Sequence, residues 1–195
     1  MKQPRVYSRN QVIDAAFALL RDKGWSAVTT RAIARQMGAS TMPIYSHVSS
    51  VDDLEAELRS RARSLLQESQ LTRYTEHALL NLAFGYVAFA RDEKQLFRFL
   101  YLDRPTTLEL GGTASVAESL LSQFGAEGEV GKALAEIGAS GQETLIRYTW
   151  VFTHGLAMMV NAGALESSTD DIILQYLQDS GTAFYAWEET RRSQQ

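Results

Sequence analysis

Cysteine is missing from this sequence of 195 residues, so disulfide scaffolds, thiolate metal sites and cysteine nucleophiles are all excluded. Long apolar runs are missing as well, since no stretch approaches the roughly 20 residues that a membrane-spanning helix requires. The first ten residues, MKQPRVYSRN, are basic and polar and lack the apolar stretch of a secretion signal. We therefore expect a cytoplasmic protein that makes no contact with membranes.

The sequence also lacks recognisable catalytic motifs. Its three histidines are scattered, and none belongs to an H-E-x-x-H or comparable metal-binding spacing. No G-x-S-x-G, P-loop or G-x-G-x-x-G pattern is present. We expect a protein that is not an enzyme and that uses neither a metal nor a cofactor.

Charge is unevenly distributed along the chain. Residues 1–50 hold seven Lys and Arg against two Asp, a net charge of +5, although the whole chain carries −4. A positive segment of this kind can neutralise phosphates. It can equally be a solvated face without a partner, and charge alone does not distinguish these interpretations.

Apolar residues recur at three- and four-residue spacing along nearly the whole chain, which predicts an all-helical protein. In the first 70 residues we expect four helices, with N-terminal caps at Ser8, Thr30, Ser40 and Ser50. Gly24 and Gly38 lie where left-handed residues would end the first and second helices. Asp53 completes an S-x-x-D capping box that opens the fourth.

The remaining chain predicts further helices. Its composition favours a turn over residues 105–113, a helix near 113–124, and two long apolar helices near 141–164 and 170–189. The expected fold is all-α. Residues 1–50 would form a three-helix N-terminal domain, and residues 51–195 would form a larger, acidic helical bundle.

The second and third predicted helices have the spacing of a helix-turn-helix. Ala34 would let the two backbones approach, Gly38 would take the positive-φ turn position, and Ile44 would plug the second helix into the core. In this motif the second helix enters the major groove of DNA and presents its N-terminal residues to base edges.

The start of that third helix carries an unusual set of side chains. Pro43 would lie in the first turn, where the backbone N–H groups have no helical partner, so proline costs little there. With Met42 it would form an apolar tip able to touch a thymine methyl group. Tyr45 and His47 follow at helical spacing, where they can contact DNA. Alternatively, Tyr45 packs against the bundle and His47 caps the helix end.

The stretch from Arg9 to Leu54 resembles the DNA-binding domain of TetR-type transcriptional repressors. The matching positions are Arg9, Ile13, Ala16, Gly24, Thr30, Ile33, Ala34, Gly38, Ser40, Ile44, Tyr45, His47, Val48 and Leu54. The resemblance covers about a quarter of the chain. It implies a homodimer, a helical C-terminal domain that binds a small molecule, and release of double-stranded operator DNA when that molecule binds.

The resemblance also implies roles for individual residues. Thr30 and His47 would contact phosphate, and Arg31 would reach a base, with guanine best suited to its fork. The remaining contacts with bases or backbone would come from Thr41, Met42, Pro43 and Tyr45. Family members usually place a lysine at the start of the fourth helix, where this chain has Val51. Ser49, Ser50 and the helix N-terminus could still hold a phosphate there.

The C-terminal half offers candidate ligand and dimer residues. The segment WVFTHGLAMMVNAGAL resembles a W-x-x-x-H-G stretch of the eighth helix in the same family, and Gly155 there suggests close helix packing. An apolar or aromatic ligand could be lined by Tyr86, Phe89, Phe97, Tyr101, Trp150, Phe152, His154 and Met158. A dimer could use Leu156, Met159, Leu174, Leu177, Gly181, Phe184 and Tyr185. The alternative for each of these residues is ordinary core.

The sequence therefore predicts a DNA-binding transcriptional regulator, a repressor that binds a pseudo-palindromic operator as a homodimer and is released by an apolar or aromatic effector. Three alternatives stay open: an activator of the same fold, a regulator that senses no ligand, and a helical adaptor that binds protein instead of DNA.

Overall fold

The computed structural model describes residues 7–103, 116–139 and 143–194, and over these ranges the chain is helical without any strand. A 3-10 turn at Trp25–Ala27 follows the first helix, and a π-helical turn at Phe99–Asp103 continues the sixth. The helices are α1 (Arg9–Lys23), α2 (Thr30–Met37), α3 (Met42–His47), α4 (Val51–Leu71), α5 (Ala78–Asp92), α6 (Lys94–Arg98), α7 (Val116–Phe124), α8 (Gly128–Ala139), α9 (Glu143–Ala162) and α10 (Asp170–Arg192).

The predicted all-α fold is confirmed. The two long C-terminal helices lie within a few residues of the predicted ranges, as α9 and α10. The predicted helix near 113–124 is present as α7 from Val116 onwards. The predicted turn over 105–113 lies outside the described residues.

The chain divides into two compact units. The first takes in Met1–Leu65 and Glu93–Thr106, and the second takes in Leu66–Asp92 and Thr107–Gln195. The division falls inside α4, so this helix contributes residues to both units. The predicted boundary after residue 50 lies within the first unit.

Two helix ends follow the sequence prediction. Ser8 and Gln11 form a capping box, in which Gln11 N–H donates to Ser8 Oγ at 3.2 Å and Ser8 N–H donates to Gln11 Oε1 at 2.9 Å. Gly24, after α1, has a φ of 83°, and a Cβ there would lie 2.7 Å from Gln95 Oε1. The positive φ favours glycine at this position, and Gln95 would have to move to make room for a larger residue.

Two predicted caps are wrong by one residue. Thr29, not Thr30, caps α2, because Thr29 is extended and its Oγ1 accepts the Ala32 N–H at 3.2 Å. Thr41, not Ser40, precedes α3; its backbone is already helical and its side chain makes no capping bond. Thr30 is consequently the first residue of α2, and Pro43 is the second residue of α3.

The second unit is organised around α5. Nearly every residue from Asn81 to Ala90 is buried, and α5 packs against α8, α9 and α10. A polar side chain supports this core, since Asn161 on α9 donates from Nδ2 to the Ala90 carbonyl oxygen at 2.9 Å. An apolar cluster of Val116, Ala117, Leu134 and Ile146 joins α7, α8 and α9 in the same unit.

Candidate nucleic-acid interface

The turn between α2 and α3 is built around Gly38. Its φ of 63° is left-handed, and its N–H donates to the Arg35 carbonyl oxygen at 3.1 Å, while Ala39 N–H donates to Ala34 O at 2.9 Å. Ala34 and Ile44 are buried, one on each helix, with 4% and 3% of their surface exposed. The predicted helix-turn-helix is therefore confirmed, and its buried contacts fix which face of α3 turns outward.

That outward face carries two large side chains. Met42 and Tyr45 are three residues apart on α3 and are 71% and 70% exposed. Tyr45 is therefore not packed into the core of the first unit. Ser46 donates its hydroxyl to the Met42 carbonyl oxygen at 3.0 Å, so this hydroxyl is engaged within the helix.

The four arginines of α1 and α2 fall into two groups. Arg9 bonds to Asp53 and Glu57, and Arg21 forms a two-nitrogen contact with Glu93. Arg31 and Arg35, four residues apart on α2, are exposed and meet no carboxylate among the residues that the structure describes. Their positive charge is thus available beside the exposed tip of α3, as contacts with DNA phosphates and bases require.

The segment before α4 is held by a local network. Ser50 Oγ accepts the Asp53 N–H at 3.0 Å, as the predicted capping box requires. The Asp53 carboxylate, however, accepts from the backbone N–H and hydroxyl of Ser49, both at 3.2 Å, and from Arg9 at 2.9 Å. The Ser49 backbone N–H, the Ser49 hydroxyl and Arg9 together hold the pKa of Asp53 below its ordinary value. Val51, the first residue of α4, is 62% exposed, with its side chain in solvent.

The predicted DNA-contact residues all lie in the first unit. Arg31, Met42, Tyr45 and Ser50 are exposed, and the other four, Thr30, Thr41, Pro43 and His47, are half-buried. Sequence reasoning omitted Arg35, although its four-residue spacing from Arg31 places both side chains on one helix face.

In the second unit, three of the predicted ligand residues are in contact. The Tyr86 hydroxyl and His154 Nδ1 lie 2.8 Å apart in a hydrogen bond, and the His154 ring stacks on Trp150 with centroids 5.2 Å apart. Burial lowers the pKa of His154, so the imidazole is neutral at neutral pH. Trp150 in turn packs against the apolar cluster of α7, α8 and α9.

The other predicted ligand residues are dispersed. Phe97 and Tyr101 belong to the first unit, where their rings lie 4.9 Å apart and Phe97 is fully buried. Phe89 is buried in the core of the second unit. Phe152 contacts Phe184 with ring centroids 6.1 Å apart, and Met158 is half-buried on α9.

The predicted dimer residues divide by exposure. Leu156 and Leu177 are each 5% exposed and form part of the core of the second unit. Met159 and Tyr185 are exposed, and Leu174, Gly181 and Phe184 are half-buried. A Cβ at Gly155 would meet no atom within 4 Å, so the expected close packing at this glycine does not occur within the chain.

The described ranges offer neither a metal site nor a membrane-spanning helix. Over residues 7–103, 116–139 and 143–194, no group of three or more His, Asp or Glu side chains could hold a metal ion. Over the same part of the chain, no helix combines the length and the apolar character needed to cross a bilayer.

Comparison with known proteins places the helix-turn-helix in a family. Residues 12–58 match the model of the bacterial regulatory proteins of the tetR family. This segment is a tetR-type DNA-binding domain. All eight predicted DNA-contact residues fall inside the matched segment, and so does the network around Asp53 apart from Arg9.

Similarity to individual proteins extends beyond this segment and covers most of the chain. An uncharacterized HTH-type transcriptional regulator of Mycobacterium tuberculosis is 24% identical and aligns with 88% of this chain and 78% of its own length. A second, from Bacillus subtilis, is 25% identical, with 86% of each chain covered. The crystal structure of a TetR-like transcriptional regulator from Rhodococcus sp. RHA1 has the same fold, with a TM-score of 0.61, 20% identity and coverage of 95% of this chain and 99% of that one. These similarities identify a DNA-binding transcriptional regulator.

Proposed function

We propose that this regulator is a repressor that binds a pseudo-palindromic operator as a homodimer and leaves it when a small apolar or aromatic effector binds. The observation that carries the DNA contact is the exposed pair Met42 and Tyr45 on α3, beside the exposed Arg31 and Arg35 on α2. Two large exposed side chains on one helix face offer a surface that a partner can cover. In the proposal residues 1–50 read the DNA and residues 51–195 bind the effector and the second copy.

The chemistry of the side chains suggests different contacts with DNA for α2 and α3. Arg31 and Arg35 can neutralise phosphates or read guanine, while Met42 and Tyr45 offer apolar surface to thymine methyl groups. Phosphate contacts set affinity and register, and base contacts set sequence preference. Ser50 and the N-terminus of α4 would supply a further phosphate contact.

An exposed apolar face on α9 supports the proposed dimer. Tyr148, Val151, Gly155 and Met159 recur at three- and four-residue spacing, and each is exposed. On α10, Tyr185 is 52% exposed, and a Cβ at Gly181 would meet no atom within 4 Å. Contact between two copies through these helices would cover apolar surface that is otherwise in water. Two-fold symmetry then requires half-sites about 34–36 Å apart, or a multiple of this distance.

Sedimentation and DNA binding test this proposal together. We expect a species of about twice 21.7 kDa at micromolar concentration and a retarded band with a duplex selected from a random pool. Met159→Glu should yield a monomer that binds the duplex weakly, because a carboxylate would be buried in the dimer contact. Arg147→Glu, a charge change at another exposed position of α9, is the matched control. A monomeric wild-type protein would contradict the dimer, and a wild-type protein without sequence preference would contradict the operator.

A further inference from the structure

A single glutamine stands out in the interior of the second unit. Gln70, in the last turn of α4, is 6% exposed, and its Oε1 is the only buried side-chain nitrogen or oxygen without a hydrogen-bond partner among the described residues. Its Nε2 donates to the Leu82 carbonyl oxygen at 3.5 Å, which fixes the orientation of the amide. A buried acceptor that meets no donor destabilises the fold, and a Met of similar volume would avoid that loss.

The position of Gln70 is set by close contact between α4 and α5. A Cβ at Gly85 would lie 2.7 Å from Gln70 Cα, so only glycine lets the two helices approach. The turn between them is held by Asn81, whose side chain accepts from Thr75 N–H at 2.6 Å and donates to Thr75 O at 2.9 Å. The orphaned acceptor is therefore held in a rigid frame and does not lie on a loose helix end.

The face of α5 that meets Gln70 also carries Tyr86. Gly85 and Tyr86 follow Leu82 by three and four residues, so they share its side of the helix. Tyr86 reaches His154, and His154 lies flat on Trp150, which borders the apolar cluster of α7, α8 and α9. Gln70 thus meets α5 on the side that also carries Tyr86, and a few polar groups in apolar surroundings are typical of sites for small molecules.

We infer that this interior binds an uncharged ring compound that donates an O–H or N–H hydrogen bond to Gln70 Oε1. The inference rests on the proposed release by an effector and specifies the chemistry of that effector. The neutral His154 offers no positive charge to an anion, and the aromatic side chains of Tyr86 and Trp150 in the same unit suit an apolar ring compound. The donated hydrogen bond would distinguish the effector from an otherwise identical compound that lacks the donor.

Two matched probes test this directly: indole, which has one N–H donor, and 1-methylindole, which has none. We expect calorimetry to show that the wild-type protein binds indole about tenfold more tightly than 1-methylindole. In Gln70→Met the ratio should fall to about one. The control is Gln67→Met, one turn earlier, because Gln67 donates from Nε2 to the Gln123 carbonyl oxygen and should not affect the ratio.

Thermal melting provides the second readout. Gln70→Met should melt at the same temperature as the wild type or higher, since it removes an unpaired acceptor. Equal affinities for the two indoles in the wild type, an unchanged ratio in Gln70→Met, or no binding of either indole at millimolar concentration would each overturn the inference. A gel-shift measurement with the selected duplex and the same proteins, without indole, reports separately on operator binding. If the wild-type protein does not retard the duplex, the proposed function is contradicted and not the inference about Gln70.

Discussion

Ser69 and Gly85 touch through their backbones in the second unit. A Cβ at Gly85 would lie 2.6 Å from the Ser69 carbonyl carbon, and the Ser69 hydroxyl donates to the Gly85 carbonyl oxygen at 2.8 Å. The last turn of α4 is therefore fixed to the middle of α5. α4 itself runs through the division between the two units.

Gly85→Ala should destabilise the protein by about 1–3 kcal/mol or more, because the added methyl group would overlap backbone atoms that cannot move aside. Ser69→Ala is the control, since it keeps the backbone contact and removes only the hydroxyl group with its bonds to Gly85 O and the Tyr74 hydroxyl. It should cost about 0.5–1.5 kcal/mol. Urea unfolding measures both. A Gly85→Ala protein as stable as the wild type would show that α4 and α5 can separate freely.

Arg31→Ala should relax the preference for one base pair in each half-site and cost about 1–3 kcal/mol in operator affinity. Arg35→Ala removes a charge from the same helix face and reports whether the second arginine contacts bases or only phosphates. Lys23→Ala is the charge-matched control, because Lys23 is exposed and lies near Asp22. Binding to a panel of single-base operator variants measures the effect. If Arg31→Ala keeps the wild-type preference at every position, Arg31 does not read a base.

Val51→Lys should tighten DNA binding and steepen its salt dependence by about one counterion per protomer. The side chain at this position is exposed at the first residue of α4, where a lysine could reach a phosphate. A positive charge at a helix N-terminus also opposes the helix dipole, so the variant should lose about 0.3–1 kcal/mol of stability without DNA. Val51→Gln is the control, because it lengthens the side chain without adding a charge. An unchanged salt slope in Val51→Lys would place this residue away from the DNA.

His154 should make stability depend on pH. Burial lowers its folded-state pKa below the ordinary 6.5, so the unfolded chain takes up the proton more readily than the folded chain. The contribution of the neutral imidazole is complete above about pH 6.5 and declines as the pH falls below it. His154→Gln keeps a hydrogen-bond acceptor for Tyr86 and should flatten the decrease in melting temperature between about pH 7.5 and pH 5.5. Parallel melting curves for the two proteins would assign this pH dependence to other groups.

The recognition motif was predictable because it depends on neighbours in sequence. The spacing of Ala34, Gly38 and Ile44 determines the turn within eleven residues, and the Ser8 capping box needs only Gln11. The predicted caps of α2 and α3 each lie one residue away from the cap in the structure. At α2 the adjacent Thr29 and Thr30 offer equivalent side chains, and the backbone conformation decides which one caps the helix, whereas at α3 the side chain of Thr41 makes no capping bond.

The sequence by itself determined the helical fold, the helix-turn-helix and the excess of positive charge in residues 1–50, since these follow from local spacing and composition. Only the tertiary structure decided which arginines lack a carboxylate partner. Arg9 bonds to a carboxylate 44 positions away in sequence and Arg21 to one 72 positions away, whereas Arg31 and Arg35 meet none among the described residues. It also divided one apolar pattern into the buried Leu156 and Leu177 and the exposed Met159 and Tyr185. The reason is physical. Helical periodicity gives the apolar side of each helix, but the side chains that meet across helices depend on how the helices cross, and that depends on residues far apart in the chain.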